Sequence, residues 1–523
     1  MKRPSASRTA RTRPAAPAAP APHNDAPAQA PPADAGDLLD VDQALALLKS
    51  TRPTFYRWLR MGRIKGLKVG RQWRFYRADL ERFVKGQEPR VELGADIGPL
   101  LQALRARLRA AGAPDGLPET DERTAQAVRL MIRLGLALRA SDLHLEPVPQ
   151  DDGRPRTLLR YRIDGVLHEG PSCDARLLPA LIEQFKRMAA CDPIEKRKPQ
   201  DGRILCTELG KSVDLRVCFL PAVMGETLTA RLLVGVDVEF SLDAIGYPPA
   251  DRARLLRHLS ARGGLILLTG PTGTGKTTTL YACLRQLAKP EVKAISIENP
   301  VEYILGGVTQ VQINLNGGLT YARAIRSALR SDPNVICVTE ICDRDTLMLV
   351  IQAVLTGHLV LTTLHTDSAA AALVRMVNIG ADPFLVTDTA RLVVSQRLVR
   401  VLCPKCKRHV NLGAGQHAQV RELARQCGTT WEELPHRDFC EPVGCPNCAQ
   451  TGYRGRVAIV ETLEVTPEIA AALRRGAPVN ELHTLAVSQG MTPLIADGLR
   501  RASAGETSLD EVLRIQPPVP PGS

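Results

Sequence analysis

The residues best suited to chemistry lie in one run: Gly270, Pro271, Thr272, Gly273, Thr274, Gly275, Lys276, Thr277 and Thr278. They fit the pattern G-x-x-x-x-G-K-[ST] in full. Glycines at this spacing let the backbone turn tightly, so that successive N–H groups face a phosphate. The start of a following helix adds partial positive charge, Lys276 reaches the outer phosphates, and the Thr277 hydroxyl suits Mg²⁺. Leu265 to Leu268 reads as a buried strand and Thr278 to Leu287 as a helix, the setting such a loop requires. The spacing implies a nucleoside triphosphate site.

A second set consists of the pairs Cys403/Cys406 and Cys445/Cys448, with 38 residues between the pairs. Thiolates at C-x-x-C spacing can close a tetrahedral Zn²⁺ site that staples a segment lacking its own core. Four thiolates leave no open position for chemistry, so such a site is structural. Cys427 and Cys440, inside the interval, are rival ligands.

Composition bounds the rest. At 523 residues, 44% hydrophobic and 24% charged, the chain reads as a globular protein of several domains. No run approaches the length of a membrane span, and the basic start has no apolar stretch behind it. The expectation is a cytosolic site of action, with membrane contact only through a partner. Thirteen cysteines without a secretory signal point to metal ligation or free thiols rather than disulfides. The net charge of +13 is uneven, since residues 1–90 hold 18 Lys/Arg against 8 Asp/Glu. That asymmetry suits a polyanion partner.

In chain order, residues 1–36 are Ala/Pro-rich and predict a disordered tail. Residues 37–90 predict a compact unit. Asp40 caps a helix, Pro53 opens a second that runs from Thr54 to Arg60, two strand-like pieces flank a glycine turn, and a short helix from Asp79 closes the unit. Residues 91–122 hold a linker and an amphipathic helix near Pro99 to Ala111. Residues 123–238 read as mixed helix and strand.

The segment Val69-Gly-Arg-Gln-Trp-Arg74 followed by Asp79-Leu-Glu-Arg-Phe83 resembles the excisionase and MerR-type winged helix-turn-helix family. The resemblance implies that the second helix enters the major groove through Thr54, Tyr56, Arg57 and Arg60. Lys68, Arg71 and Arg74 on the wing would then grip the backbone or minor groove. The same fold can also serve as a protein-docking module.

Residues 140–146, 161–167 and 199–203, with the phosphate loop and Gly357 to Thr366, resemble the ATPase superfamily of type II secretion and type IV pilus assembly from about residue 125 to 515. The resemblance implies an α/β architecture: a PAS-like α+β domain (123–238), a RecA-like P-loop core (239–398), and a zinc-stapled tetracysteine element with C-terminal helices (399–515). It also implies ATP hydrolysis by a homo-hexamer docked on an inner-membrane platform or adaptor protein. Arg203 and Arg216 match arginines that approach the phosphates, and Arg326 and Arg330 match a further set in the motor. Glu298 and Glu302 form the acidic box, Glu340 takes the Walker B place, and His358 and His365 flank the histidine-box strand. Hydrolysis would rest on Lys276, Thr277, Glu340 and His365 with Mg²⁺.

Asn299, Thr339 and Cys342 depart from the usual Asp, Gly and Arg. The resemblance implies an assembly rather than a retraction motor, since the family's assembly ATPases carry such a tetracysteine element and its retraction ATPases do not. The alternative reading is a nucleotide-gated DNA-binding regulator or scaffold that uses the N-terminal unit.

Overall fold

The computed structural model describes residues 38–60, 64, 66–69, 72–84, 97–118, 122–149, 155–235, 240–428, 430–432, 434 and 437–515. The tail expected over 1–36 lies outside these residues. The chain forms two compact units, one ahead of residue 92 and one after it.

In the first unit, the Asp40 carboxylate accepts from the Gln43 amide (2.8 Å) and the Gln43 side chain accepts from the Asp40 amide (2.9 Å). This reciprocal cap starts the helix Val41–Leu48. The second helix, Arg52–Arg60, begins two residues earlier than its sequence suggests and carries Pro53 in its first turn. Strands β1 (Leu38–Leu39), β2 (Leu67–Val69) and β3 (Gln72–Tyr76) form an antiparallel sheet in the order β1-β3-β2. The helix Arg77–Val84 follows. Ala44, Phe55, Ile64, Phe75 and Leu80 are buried, with Trp58 and Leu59 partly buried against them. Phe55 meets Phe75 edge-on at 4.9 Å between ring centres.

The second unit holds two large sheets. The first is built from β4 (Ala140–Val148), β5 (Arg156–Ile163), β6 (Val166–Glu169), β7 (Cys173–Asp174), β8 (Gln200–Glu208), β9 (Lys211–Ala222) and β10 (Gly225–Gly235). Its order is β6-β5-β4-β10-β9-β8, antiparallel throughout, with β7 on β5. The helices Arg123–Ala137 and Leu178–Met188 pack on this sheet and bury Leu130, Met131, Leu134, Leu181 and Phe185. Alternation along β5 and β9 shows one covered face.

The second sheet comprises β11 (Gly264–Thr269), β12 (Ala294–Glu298), β13 (Val308–Gln312), β14 (Val335–Val338), β15 (Leu359–Leu364), β16 (Ala390–Leu402) and β19 (Tyr453–Glu464), ordered β13-β12-β14-β15-β11-β16-β19. All neighbours are parallel except β16 and β19. Every residue of β11, β12, β14 and β15 is buried. Helices cover both faces, which is why these strands read as unbroken apolar runs.

Between β16 and β19 the chain makes a two-stranded antiparallel sheet, β17 (Arg408–His409) with β18 (Cys440–Glu441), and the helix Ala414–Gln426. Val420, Leu423, Ala424 and Phe439 form a core with Leu499, Ala502 and Val512 of the C-terminal helices. The long interval between the two cysteine pairs is therefore a folded insert.

Deleting the Phe55 ring should cost about 3–5 kcal/mol, most of what a unit of this size retains. Phe55→Ala is expected to unfold residues 38–84 selectively. Proteolysis should then release that segment while the fold of the second unit persists.

Candidate nucleotide and metal sites

The C-terminal ends of parallel strands share one edge of a sheet, and here β11, β12, β14 and β15 deliver the phosphate loop, Glu298, Glu340 and His365 to that edge. Gly275 caps the helix Lys276–Leu287 with φ of +86°. A Cβ there would stand 2.8 Å from Gln396 Nε2, and one at Gly270 (φ +147°) would stand 2.6 Å from the Gln396 carbonyl. Only glycine fits either place. Pro271, Thr272 and Gly273 form the exposed crest, and the Thr274 hydroxyl donates back to the Pro271 carbonyl (3.0 Å). Thr277 is half-buried and Thr278 exposed.

Lys276 is buried. Its ammonium donates to the carbonyls of Gly270 (2.6 Å) and Pro271 (2.8 Å) and lies 3.5 Å from His365 Nδ1. His365 Nε2 is 3.9 Å from a Glu340 carboxylate oxygen. A cation, an imidazole and a carboxylate thus stand in line beside the loop. The Thr269 hydroxyl meets that of Thr366 (2.7 Å) and accepts from the Thr366 amide (3.0 Å), pinning the end of β15 to that of β11. Thr363 donates to the Thr339 carbonyl (2.6 Å) and so holds the strand that carries Glu340.

Glu298 is fully buried and accepts from Ser296 (2.5 Å), Tyr281 (2.5 Å) and Gln310 (2.9 Å). It anchors the acidic segment from within. Glu302 is farther along that segment; burial pushes its carboxyl up, against the pull of Arg231 and Arg216. Arg216 donates to the Val301 carbonyl (2.6 Å), carrying the antiparallel sheet onto the acidic segment. Arg203 instead makes a two-point pair with Asp214 (2.8 Å each) on the neighbouring strand. Arg326 and Arg330 lie on the exposed side of the helix Tyr321–Leu329 and its C-cap, where Arg330 donates to the Arg326 carbonyl (2.9 Å). Among the described residues, only Arg216 of these four hydrogen-bonds to the acidic segment.

The two histidines flank β15 as their spacing suggests, and that strand holds them apart. His358 precedes β15 and bonds through Nδ1 to the Ala353 carbonyl (2.8 Å) and Thr356 (3.1 Å), closing the end of a helix. The six residues of β15 separate it from His365 by about 20 Å. Its place is at the opposite edge of the sheet from this subunit's phosphate loop.

The structure also accommodates two of the three departures, Thr339 and Cys342. The Thr339 hydroxyl bonds to Tyr321 (3.0 Å) and the Ile297 carbonyl (3.2 Å). Burial, aided by the Glu340 carboxylate, pushes the Cys342 thiol up to about 12, which leaves it a neutral neighbour of the acid.

Four residues that spacing did not single out belong to the site: Arg231 beside Glu302, Tyr281 on Glu298, and Gln396 with Arg397 beneath the loop. The run Leu392-Val-Val-Ser-Gln-Arg397 reads only as a strand, with no signal of its partner.

The four sulfurs of Cys403, Cys406, Cys445 and Cys448 lie within 4.8 Å of one another. Three of their separations are 3.8 Å. A tetrahedral Zn²⁺ with bonds of about 2.3 Å spaces its sulfurs about 3.8 Å apart, so the donors fit that metal. Amides of Gly444, Cys445 and Gly452 point at two of the sulfurs, as thiolates require. Cys440 is directed to His409 and the Asp438 carbonyl, and Cys427 caps a helix. Neither rival joins the cluster.

In the first unit, the Thr54 hydroxyl bonds to Thr51 (3.0 Å), Tyr56 and Arg57 are exposed, and Arg74 is 3.9 Å from Asp40. The side chains of Arg60 and Lys68, and all of Arg71, lie outside the described residues.

Residues 119–514 match the family described as type II/IV secretion system protein. The chain belongs to this family. Residues 38–88 match the helix-turn-helix domain family. A putative type II secretion system protein E of Escherichia coli is 41% identical over 72% of this chain and 73% of its own length. The type IV pilus assembly ATPase PilB of Acinetobacter baylyi is 40% identical over 73% of this chain, which spans 64% of that relative. The crystal structure of the Legionella pneumophila ATPase DotB covers 76% of this chain and 97% of its own, with a TM-score of 0.54 at 20% identity, and supports the fold. Within the secretion family chain, no described helix is long and apolar enough to cross a membrane.

Burial, reinforced by Arg397 and opposed by Glu340, lowers Lys276 to about 8. Below that pH the ammonium is already present; above it, binding of a phosphate must take up a proton. The ADP dissociation constant is expected to rise by up to about tenfold per pH unit above 8. Calorimetry across pH 7–10 measures this, and Lys276→Arg should flatten the rise in whatever binding remains.

Proposed function

We propose that this secretion-family ATPase hydrolyses ATP as a ring of six to power assembly of a type IV pilus or a type II secretion pseudopilus. The observation that carries the reading is the line of Lys276, His365 and Glu340 along the phosphate loop. Lys276 and the loop amides would bind the β- and γ-phosphates. Mg²⁺ would neutralise phosphate charge, held by Thr277 with Glu340 nearby. Glu340 orients the attacking water, and His365, between it and Lys276, meets the γ-phosphate. Glu298 acts indirectly, by holding the acidic segment that presents Glu302. Arg203, Arg216, Arg326 and Arg330 would offset phosphate charge once neighbouring subunits close the ring.

In this reading residues 123–238 move against the motor (239–398), and 399–515 form the stapled C-terminal part. The site of action is the cytoplasmic side of the inner membrane, reached through a platform or adaptor protein. Zn²⁺ held by the four cysteines would brace the insert without entering the reaction. A second reading, DNA binding through residues 37–90, is favoured by the helix-turn-helix match and the exposed Tyr56 and Arg57. A salt-dependent, sequence-selective gel shift decides it.

Phosphate release is expected to rise faster than linearly with protein concentration and to vanish in Lys276→Ala and Glu340→Gln. Binding of nucleotide without release, even at high protein with acidic lipid, would sink the self-sufficient motor.

The purified chain is expected to contain one Zn²⁺, measured by elemental analysis. Cys445→Ser should lose the metal and expose the 407–444 insert to protease, with a smaller effect on nucleotide affinity. A full zinc complement in that variant would contradict the assignment.

A further inference from the structure

β16 runs beside β11, and Ser395 pairs with Thr269 where β11 passes into the phosphate loop. The next residue, Gln396, is 1% exposed, and both polar atoms of its amide are engaged. Its oxygen accepts from the Tyr247 hydroxyl (2.9 Å) and the Thr279 hydroxyl (2.9 Å), and its nitrogen donates to the Thr274 carbonyl (2.8 Å). Thr274 and Thr279 stand on either side of Gly275 and Lys276. The near-contacts of Gly270 and Gly275 with Gln396 show that the loop rests directly on this residue.

Tyr247, also buried, belongs to the segment that enters the motor after β10. That segment is fastened a second time. Phe240 packs edge-on against Tyr281 (5.2 Å) and Tyr303 (5.4 Å), and the Tyr281 hydroxyl donates to Glu298 and accepts from the Glu302 amide (3.2 Å). One stretch between the two sheets therefore touches a support of the phosphate loop and a support of the acidic segment.

Steric support alone would be met by an aliphatic side chain. A buried amide with three partners is different, because a shift in any partner leaves another unpaired. Movement of the Thr274 carbonyl on phosphate binding must be followed by Gln396 and, through it, by Tyr247.

We propose that Gln396 is a positioning residue for the phosphate loop, and that its bond to Tyr247 carries nucleotide occupancy to residues 240–248. The inference rests on the nucleotide-binding reading. Its test uses the full chain, a fluorescent ADP analogue for affinity, steady-state ATP hydrolysis, and hydrogen exchange of a peptide covering 240–248. In the unaltered protein, saturating ADP should slow exchange in that peptide. Gln396→Leu is expected to raise KM for ATP by about tenfold, the factor given by loss of one buried hydrogen-bond partner, with a smaller fall in kcat. At saturating ADP it should also lose the slowing.

Tyr247→Phe removes one hydroxyl and keeps the Thr279–Gln396–Thr274 bonds. It should weaken the slowing while moving KM less. A residue that merely filled space would lower thermal stability and leave the nucleotide-dependent exchange intact. Slowing that persists in both variants, or a KM unchanged in Gln396→Leu, overturns the bridge. Should Gln396→Leu fail to fold, the exchange of Tyr247→Phe decides alone. Failure of the unaltered protein to bind the analogue overturns the nucleotide reading and the bridge with it, before any variant is compared.

Discussion

The parallel pairing of β11 with β15 is the constraint on which the site depends. Thr269 stands opposite Leu364, so the last residues of both strands leave the sheet together. One strand continues into the phosphate loop and the other into His365 and Thr366. The hydroxyl pair of Thr269 and Thr366 then locks the two exits. A register slip of one residue would turn both sets of side chains to the wrong face, and His365 would lose Lys276. The buried faces that fix this register are also what make the motor sheet stable, so folding and site geometry share one cause.

The same dry setting explains the electrostatics. Lys276 is a lone ammonium among backbone carbonyls, with Arg397 close by, and its proton is held less firmly than in water. Glu298, by contrast, is buried among neutral donors and serves as an anchor. Two acids of one motif thus have different tasks, set by what surrounds them.

Legibility in the sequence followed locality. The phosphate loop, its flanking strand and helix, and the cap at Asp40 depend on residues within a few positions of one another, and each stands where spacing put it. The cysteine quartet was legible as two pairs, but choosing among six cysteines required the pairing of Leu402 with Tyr453, which brings the ends of β16 and β19 together. The motif showed His358 and His365 at the two ends of one strand, but which end meets the phosphate loop follows only from the parallel pairing of β15 with β11. Gln396, Arg231 and Tyr281 escaped notice for the complementary reason. Their partners are distant in the chain, as with Tyr247 and Gln396, 149 positions apart.

The insert between β16 and β19 bears on how the chain folds. Antiparallel strands usually meet across a short turn, but these two are separated by fifty residues, Cys403 to Gly452. The entropy of closing a loop grows slowly with its length, yet it must be met before the strand contacts return anything. Four thiolates gathered on the Zn²⁺ proposed above, at the neck of the insert, would reduce that search to the few residues beyond it. Metal loading would then act first on the rate at which the motor sheet acquires its last strand, and a cell short of zinc would accumulate chains whose parallel strands are paired while the edge of β16 stays open to other molecules.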